Sequence, residues 1–227
     1  MTTIELSDLP LRLAEVHRAH RTDEMVALGE LADLTKGVPI DFDDLAVGAG
    51  FEPAGQDRFR RAASLPDSVG PNMRLLVIGL NPSPSSAEVG VGFARPGNRF
   101  WPAAIGAGLV ERDRDPLHAL EHHGIGFTDL AKRTTRRAAE LESHELTAGF
   151  DRVDRLCRWL VPEACVMVGL LGWRTAVDRR AVAGWHATGI GGRPVYVMPS
   201  TSGLNAHATL EDLTAHLAAA AAGRGTD

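Results

Sequence analysis

Asn81 stands where a sequence of this kind most easily builds chemistry. It is the first polar residue after the apolar run 75–80, LLVIGL, which is short and bounded like a buried strand. Pro82, Pro84, Gly90, Gly92, Pro96 and Gly97 then interrupt the chain until Phe100 and Trp101 begin an apolar periodic segment, so 81–98 reads as an ordered, non-repetitive loop. A strand whose carboxyl end feeds a loop and then a helix is where open parallel sheets keep their sites. A side-chain amide there binds and orients water but is a poor base, and an asparagine before Pro82 equally suits a turn. Asp129, in GFTDL, ends a second strand-like piece. Its carboxylate would be the stronger general base, with capping of the next turn as its other use. The run RPVYVMPS delivers Ser200, Thr201, Ser202 and Gly203 at a third strand end.

Elements must hold these residues. Residues 1–64 read as a helical or irregular extension of unassigned role, in which PLRLAEVHRAH and TDEMVALGELADLTKG suggest short amphipathic helices. The second would start at Thr22 or Asp23 and end at Gly37. Asp41, Asp43 and Asp44 miss the spacing of a calcium loop and read as an acidic surface turn. A Pro/Gly/Asn-rich loop, LPDSVGPNM, opens a second unit over 65–222. There RFWPAAIGAGLV reads as a helix with Pro102 in its first turn. Leu146, Phe150, Val153, Leu156, Cys157 and Leu160 share one helical face ahead of Pro162. ACVMVGLLG is a buried parallel strand, WRTAVDRRAVAGW the helix after it, and Thr209 with Asp212 a capping box for the last helix. Residues 223–227 read as a disordered tail. Strands alternating with helices predict a right-handed, doubly wound sheet with the 81–98 and 199–207 loops on one rim.

Composition narrows the function classes. A net charge of −5 argues against broad attraction to nucleic acid, although Arg95, Arg99, Lys132, Arg133, Arg136 and Arg137 supply a local basic face or a solvated charged surface. Cys157 and Cys165 read as buried small hydrophobes, and two cysteines fall short of the usual cluster-binding four. The nine histidines show no zinc spacing; His122 and His123 read as decorating a surface turn, and no metal or cofactor is expected. An apolar content of 44% suffices for a core. With no 18-residue uncharged apolar run, and no basic-then-apolar pattern in MTTIELSDLP, a cytoplasmic protein is expected.

GLNPSPSSAEVGVGFARPGNRFWP, then GFTDLAKRTT, then MPSTSGLNAHATL resemble, in that order, the mismatch-specific uracil/thymine-DNA glycosylases of the uracil-DNA glycosylase superfamily. The resemblance covers about residues 65–222. It implies an α/β fold of three layers, α/β/α, around a short, mainly parallel four-stranded sheet. It implies a monofunctional hydrolase, free of metal, that cuts the N-glycosidic bond of uracil or a related lesion opposite guanine in double-stranded DNA; a monomer is the default for an enzyme that must wrap one duplex face. The nucleotide must leave the stack first, at about a few kcal/mol, and less where pairing is already poor.

On this resemblance Asn81 positions the attacking water, and Asp129 is the candidate to take its proton. Phe93 stacks on the extruded base; Gly79, Leu80, Ser85, Ser86 and Asn98 line or brace its pocket. Ser200, Ser202, Gly203, Leu204 and Asn205 form the insertion loop, with Leu204 as the apolar wedge. From the local basic face, Arg95, Lys132 and Arg133 are the candidate phosphate contacts. The loop departs from the family's PSGLSR: Ser200-Thr201-Ser202 replaces Asn-Pro-Ser, and Asn205-Ala206 replaces Ser-Arg, which leaves only His207 or the backbone to read the opposite guanine. Two rivals follow. One is a damage-binding protein that flips without turnover. The other, a nucleotide-binding α/β protein, is weak because neither GxGxxG nor GxxxxGK[ST] occurs.

Overall fold

The computed structural model describes residues 6–55 and 57–223. The first half of MTTIELSDLP and all but the first residue of the expected tail at 223–227 lie outside them. The described chain opens with α1 (Leu9–Ala19), β1 (Met25–Ala27), α2 (Gly29–Ala32), α3 (Phe42–Gly48), β2 (Phe51–Pro53) and β3 (Arg58–Arg61). The three strands form an antiparallel sheet in the order β1-β3-β2. The helix expected over 22–37 is therefore mostly absent. MVALGELADL fits either period, and pairing of Val26 with Phe59 decides for the strand. The acidic turn is the start of α3, where Asp41 caps the helix by accepting the Asp43 N–H.

Then follow β4 (Leu75–Gly79), α4 (Pro84–Val89), α5 (Phe100–Gly106), α6 (Pro116–His123), β5 (Ile125–Asp129), α7 (Ser143–Leu160), β6 (Ala164–Val168), α8 (Leu170–Ala176), β7 (Gly184–Ile190), β8 (Arg193–Met198) and α9 (Leu210–Ala221). The central sheet runs β5-β4-β6-β8-β7, parallel throughout except for β7. It has five strands rather than the expected four. Trp185 was read into a helix, yet α8 ends at Ala176, and GWHATGI, half exposed with a bulge between His186 and Ile190, owes its strand to pairing with β8. The loop after β4 is also not wholly non-repetitive: Ser83 caps α4, with Pro84 in its first turn.

Pleat alternation sorts the core into two layers of contact. Leu75 and Val77 of β4, Val166 of β6 and Met198 of β8 face Phe100, Trp101, Leu213 and Leu217 of α5 and α9. Leu76, Ile78, Cys165, Met167, Val195 and Val197 face Val153, Leu156 and Cys157 of α7, and Trp173 of α8. Leu9, Leu13, Phe51 and Phe59 from the first 64 residues join this second cluster. Cys157 and Cys165 are free and buried, as the sequence suggested, with their sulfurs 3.6 Å apart.

Helix α7 sits so close to the end of β5 that a Cβ on Gly149 would lie 2.1 Å from the Leu130 carbonyl oxygen. In an open helix Gly→Ala gains about 1 kcal/mol. Here Gly149→Ala is expected to cost about 1–3 kcal/mol through overpacking. Thermal unfolding beside exposed Ala148→Gly checks this, and a raised Tm for Gly149→Ala would show that the helix is not seated there.

Candidate active site

Beyond the carboxyl ends of β4, β5, β6 and β8 lies a cavity of about 160 Å³. Asn81, Ser86, Phe93, Asn98, Asp129 and the segment 200–202 line it, so the 81–98 and 199–207 loops do share a rim. Pockets for larger ligands run to about 300–1,000 Å³, so this one suits a single base rather than a dinucleotide.

The hydrogen-bond ladder between β4 and β5 continues past both strands. Leu130 N–H donates to the Gly79 carbonyl, Ala131 to Leu80, and Thr135 to Pro82. This seam fixes Asn81 against the 130–135 loop. The Asn81 Nδ2 group donates to Thr135 Oγ1 at 2.8 Å, to the Arg133 carbonyl at 2.9 Å and to the Pro82 carbonyl at 3.2 Å. Its Oδ1 has no donor among the described residues and is not sealed from solvent. The amide is thus held by its nitrogen end, and the acceptor end is left for a water or hydroxyl.

Asp129 pairs in register with Gly79. A Cβ on Gly79 would lie 2.1 Å from Asp129 Oδ1 and 3.4 Å from the Phe93 ring, so glycine is needed there for the carboxylate to pass. Asp129 is 8% exposed. Burial pushes its carboxyl up to about 6, against the pull of Lys132, with the Asp67 charge adding to the rise. No described group donates a hydrogen bond to this carboxylate. That fits a proton acceptor near neutral pH more than a turn cap.

Below Asp129 lies a charge cluster the sequence did not disclose. Asp67 receives Lys132 Nζ at 2.8 Å, Arg152 Nη1 at 2.9 Å and Thr128 Oγ1 at 2.7 Å. Arg152 Nη2 also donates to Thr128 Oγ1 and, at 2.7 Å, to the Asp129 carbonyl. Burial works against the Asp67 charge, but Lys132 and Arg152 outweigh it and hold its carboxyl below the usual range. One signal was available. Arg152 falls three residues after Gly149 and four before Leu156 on the apolar stripe of α7, and a charge in such a stripe needs a buried partner.

The other predicted residues divide. Phe93 adopts a left-handed backbone, φ 59°, and stacks on Phe100 with centroids 4.3 Å apart, leaving it half exposed on the cavity wall. Leu80 and Ser86 line the cavity. Asn98 lines it too, and its Oδ1 accepts the Phe100 N–H to open α5. Ser85 does not line it; its hydroxyl lies 3.0 Å from that of Ser83, which does. Lys132 is not free for a phosphate: its side chain is 8% exposed and committed to Asp67 and the Leu65 carbonyl. Arg133 is held bidentate by Glu145. Arg95 stays exposed beside the cavity.

Arg99, expected only as part of a basic face, organises the 199–207 loop. Its guanidinium donates to the carbonyls of Ser202, Asn205 and Ala208, and its N–H to that of Thr201. Ser200 and Ser202 hydroxyls accept the N–H groups of Ser202 and Leu204, and Asn205 Nδ2 donates to the Ser200 carbonyl. A Cβ on Gly203 would lie 2.7 Å from the Gly97 carbonyl oxygen, so the two rim loops touch there. Leu204 projects with 78% exposure, though it is not part of the cavity wall.

Residues 66–221 match the family model described as the uracil DNA glycosylase superfamily. A solution NMR structure of a Methanosarcina acetivorans protein, provisionally described as a uracil DNA glycosylase, is similar at 20% identity and a TM-score of 0.48, covering 68% of this chain and 95% of that one.

The Asp129 environment predicts a pH-dependent stability. The carboxyl titrates at 3.8 when free and at about 6 in the fold, so the folded state binds the proton more tightly between those values. Stability contributed by the protonated form is therefore lost as pH rises through that window. Asp129→Asn is expected to raise unfolding stability by about 1–3 kcal/mol above pH 7 and by little below pH 4. Urea unfolding at both pH values checks it; an equal gain at both would mean the carboxylate is well solvated.

Proposed function

Since the chain belongs to the uracil-DNA glycosylase superfamily, we propose that it is a monofunctional DNA glycosylase that excises uracil, or a related damaged base opposite guanine, from duplex DNA. The observation that carries this reading is the Asn81 amide, pinned by its nitrogen and open at its oxygen, in one base-sized cavity with Asp129 and Phe93. The extruded base stacks on Phe93. Asn81 Oδ1 accepts a hydrogen bond from a water facing C1′, and Asp129 takes a proton from that water as it adds. The C1′–N bond breaks with its electron pair leaving on the base, and the products are a free base and an abasic site. Because an amide is a poor base, and Asp129 is close to half-protonated near pH 6, the reaction relies on a base already departing as an anion.

Leu204 is suited to fill the gap in the stack, since an exposed leucine on a loop braced by Arg99 is presented without rearrangement. Arg99 is spent on carbonyls and is not available to read the opposite guanine. Preference for G·U over A·U then comes from the weaker pairing of the mismatch, through the lower cost of opening it. We place the glycosylase unit at 65–222 and expect it to act as a monomer.

A labelled duplex with one G·U pair, incubated with the protein and heated in alkali, is expected to break at the uracil. Asn81→Ala should lower the single-turnover rate by about 10²–10⁴ with lesion binding retained. The wild-type rate should rise with pH through about 6, and Asp129→Asn should abolish that limb. Lesion binding with no product, beside an active control enzyme, would instead identify a damage-binding protein.

A further inference from the structure

Around α6 lies a group of ligating side chains that the proposed reaction does not use. The connection after α5 brings Glu111 to α6, whose start is capped by Asp115 accepting the His118 N–H. Glu111, His118 and His123 each offer a donor atom, and the three atoms lie within 4.8 Å of one another. Independently, His118 Nδ1 and His123 Nε2 are sealed from solvent with no hydrogen-bond partner among the described residues. A buried polar nitrogen left unpaired costs about 1–3 kcal/mol, and two of them on neighbouring rings call for a shared ligand. The ligand that pairs with unprotonated ring nitrogens and a carboxylate together is a cation.

We infer that Glu111, His118 and His123 form a transition-metal site of the zinc class. Two imidazoles and one carboxylate suit a borderline ion such as Zn²⁺ and select against Mg²⁺ and Ca²⁺, which take oxygen ligands. Tetrahedral bonds of about 2.0–2.1 Å put ligand atoms about 3.3 Å apart. The present spacing, within 4.8 Å, closes to that by small side-chain rotations in all three residues. His118 and His123 are carried by the helix; the His118 ring packs against His122 at 4.3 Å and His123 at 5.3 Å. Three protein donors leave the fourth position to water. The site ties the 107–115 connection to the end of α6, just before β5. None of the three lines the cavity that holds Asn81 and Asp129, so the metal is a staple for the fold rather than part of the hydrolysis.

The test uses the untagged full chain, freed of metal by a chelator, and a Zn²⁺ titration against a chromogenic competitor. One equivalent is expected to bind, and excess Zn²⁺ to raise Tm by about 5 °C. Glu111→Gln, His118→Gln and His123→Gln should each weaken binding by about tenfold or more, and His122→Gln should leave it unchanged. Glu111 is exposed, so its variant keeps the fold and remains a fair test should a histidine variant misfold. Absence of stoichiometric binding, affinity unmoved by Glu111→Gln, or loss confined to His122→Gln would overturn the assignment.

Discussion

Two cations and two carboxylates are removed from water where β5 ends, and the arrangement of the site follows from the need to satisfy them. Isolated burial of any one would cost several kcal/mol. Lys132 and Arg152 against Asp67 and Asp129 give a formal balance, but the hydrogen bonds are unevenly shared. Asp67 receives three donors through its side chain, whereas Asp129 receives Arg152 only through its carbonyl. The cluster thus fixes the backbone of Asp129 and leaves its carboxylate desolvated and unpartnered, which is the condition that raises its proton affinity.

The first 64 residues take part in this. The Gly48 carbonyl at the end of α3 accepts the Asp67 N–H, and a Cβ on Gly48 would lie 2.6 Å from Asp67 Oδ2 and 2.9 Å from Arg152 Nη1. The Ser64 hydroxyl donates to the Lys132 carbonyl at 2.6 Å, and that of Thr134 to the Ala63 carbonyl at 2.6 Å. This segment lies over the ion cluster and excludes water from it. The desolvation of Asp67 and Arg152 is therefore partly supplied by residues outside the matched 66–221 region.

The rim loops are held differently. Asn81 is fixed by an extension of the sheet ladder, the most rigid means available to a loop, because each bond adds to a register already set by β4 and β5. The 199–207 loop is fixed by one guanidinium reaching three carbonyls, which orders the backbone and leaves Leu204 free to project. The loop that carries Asn81 is thus held rigidly, and the loop that carries Leu204 is ordered with that side chain left exposed. Among the described residues no helix is long and apolar enough to cross a membrane.

The sequence by itself determined the parallel strands that carry the site, the capping of α9 and the residues at strand ends, because each rests on short-range pattern: apolar runs, breakers and cap spacing. It also carried the uracil-DNA glycosylase superfamily, through three motifs in order. It could not supply β7 or β1, whose patterns are ambiguous and whose strand character arises from partners elsewhere in the chain. Nor could it show that Lys132 points inward, that Ser85 stays off the cavity wall, or that Arg99 braces the 199–207 loop. The partners of Asp67 lie 61, 65 and 85 positions away, and Arg99 reaches Ser202 and Ala208 across 103 and 109. Charge satisfaction in a desolvated interior is decided by which groups the fold brings within about 3 Å, and spacing along the chain carries no record of that distance.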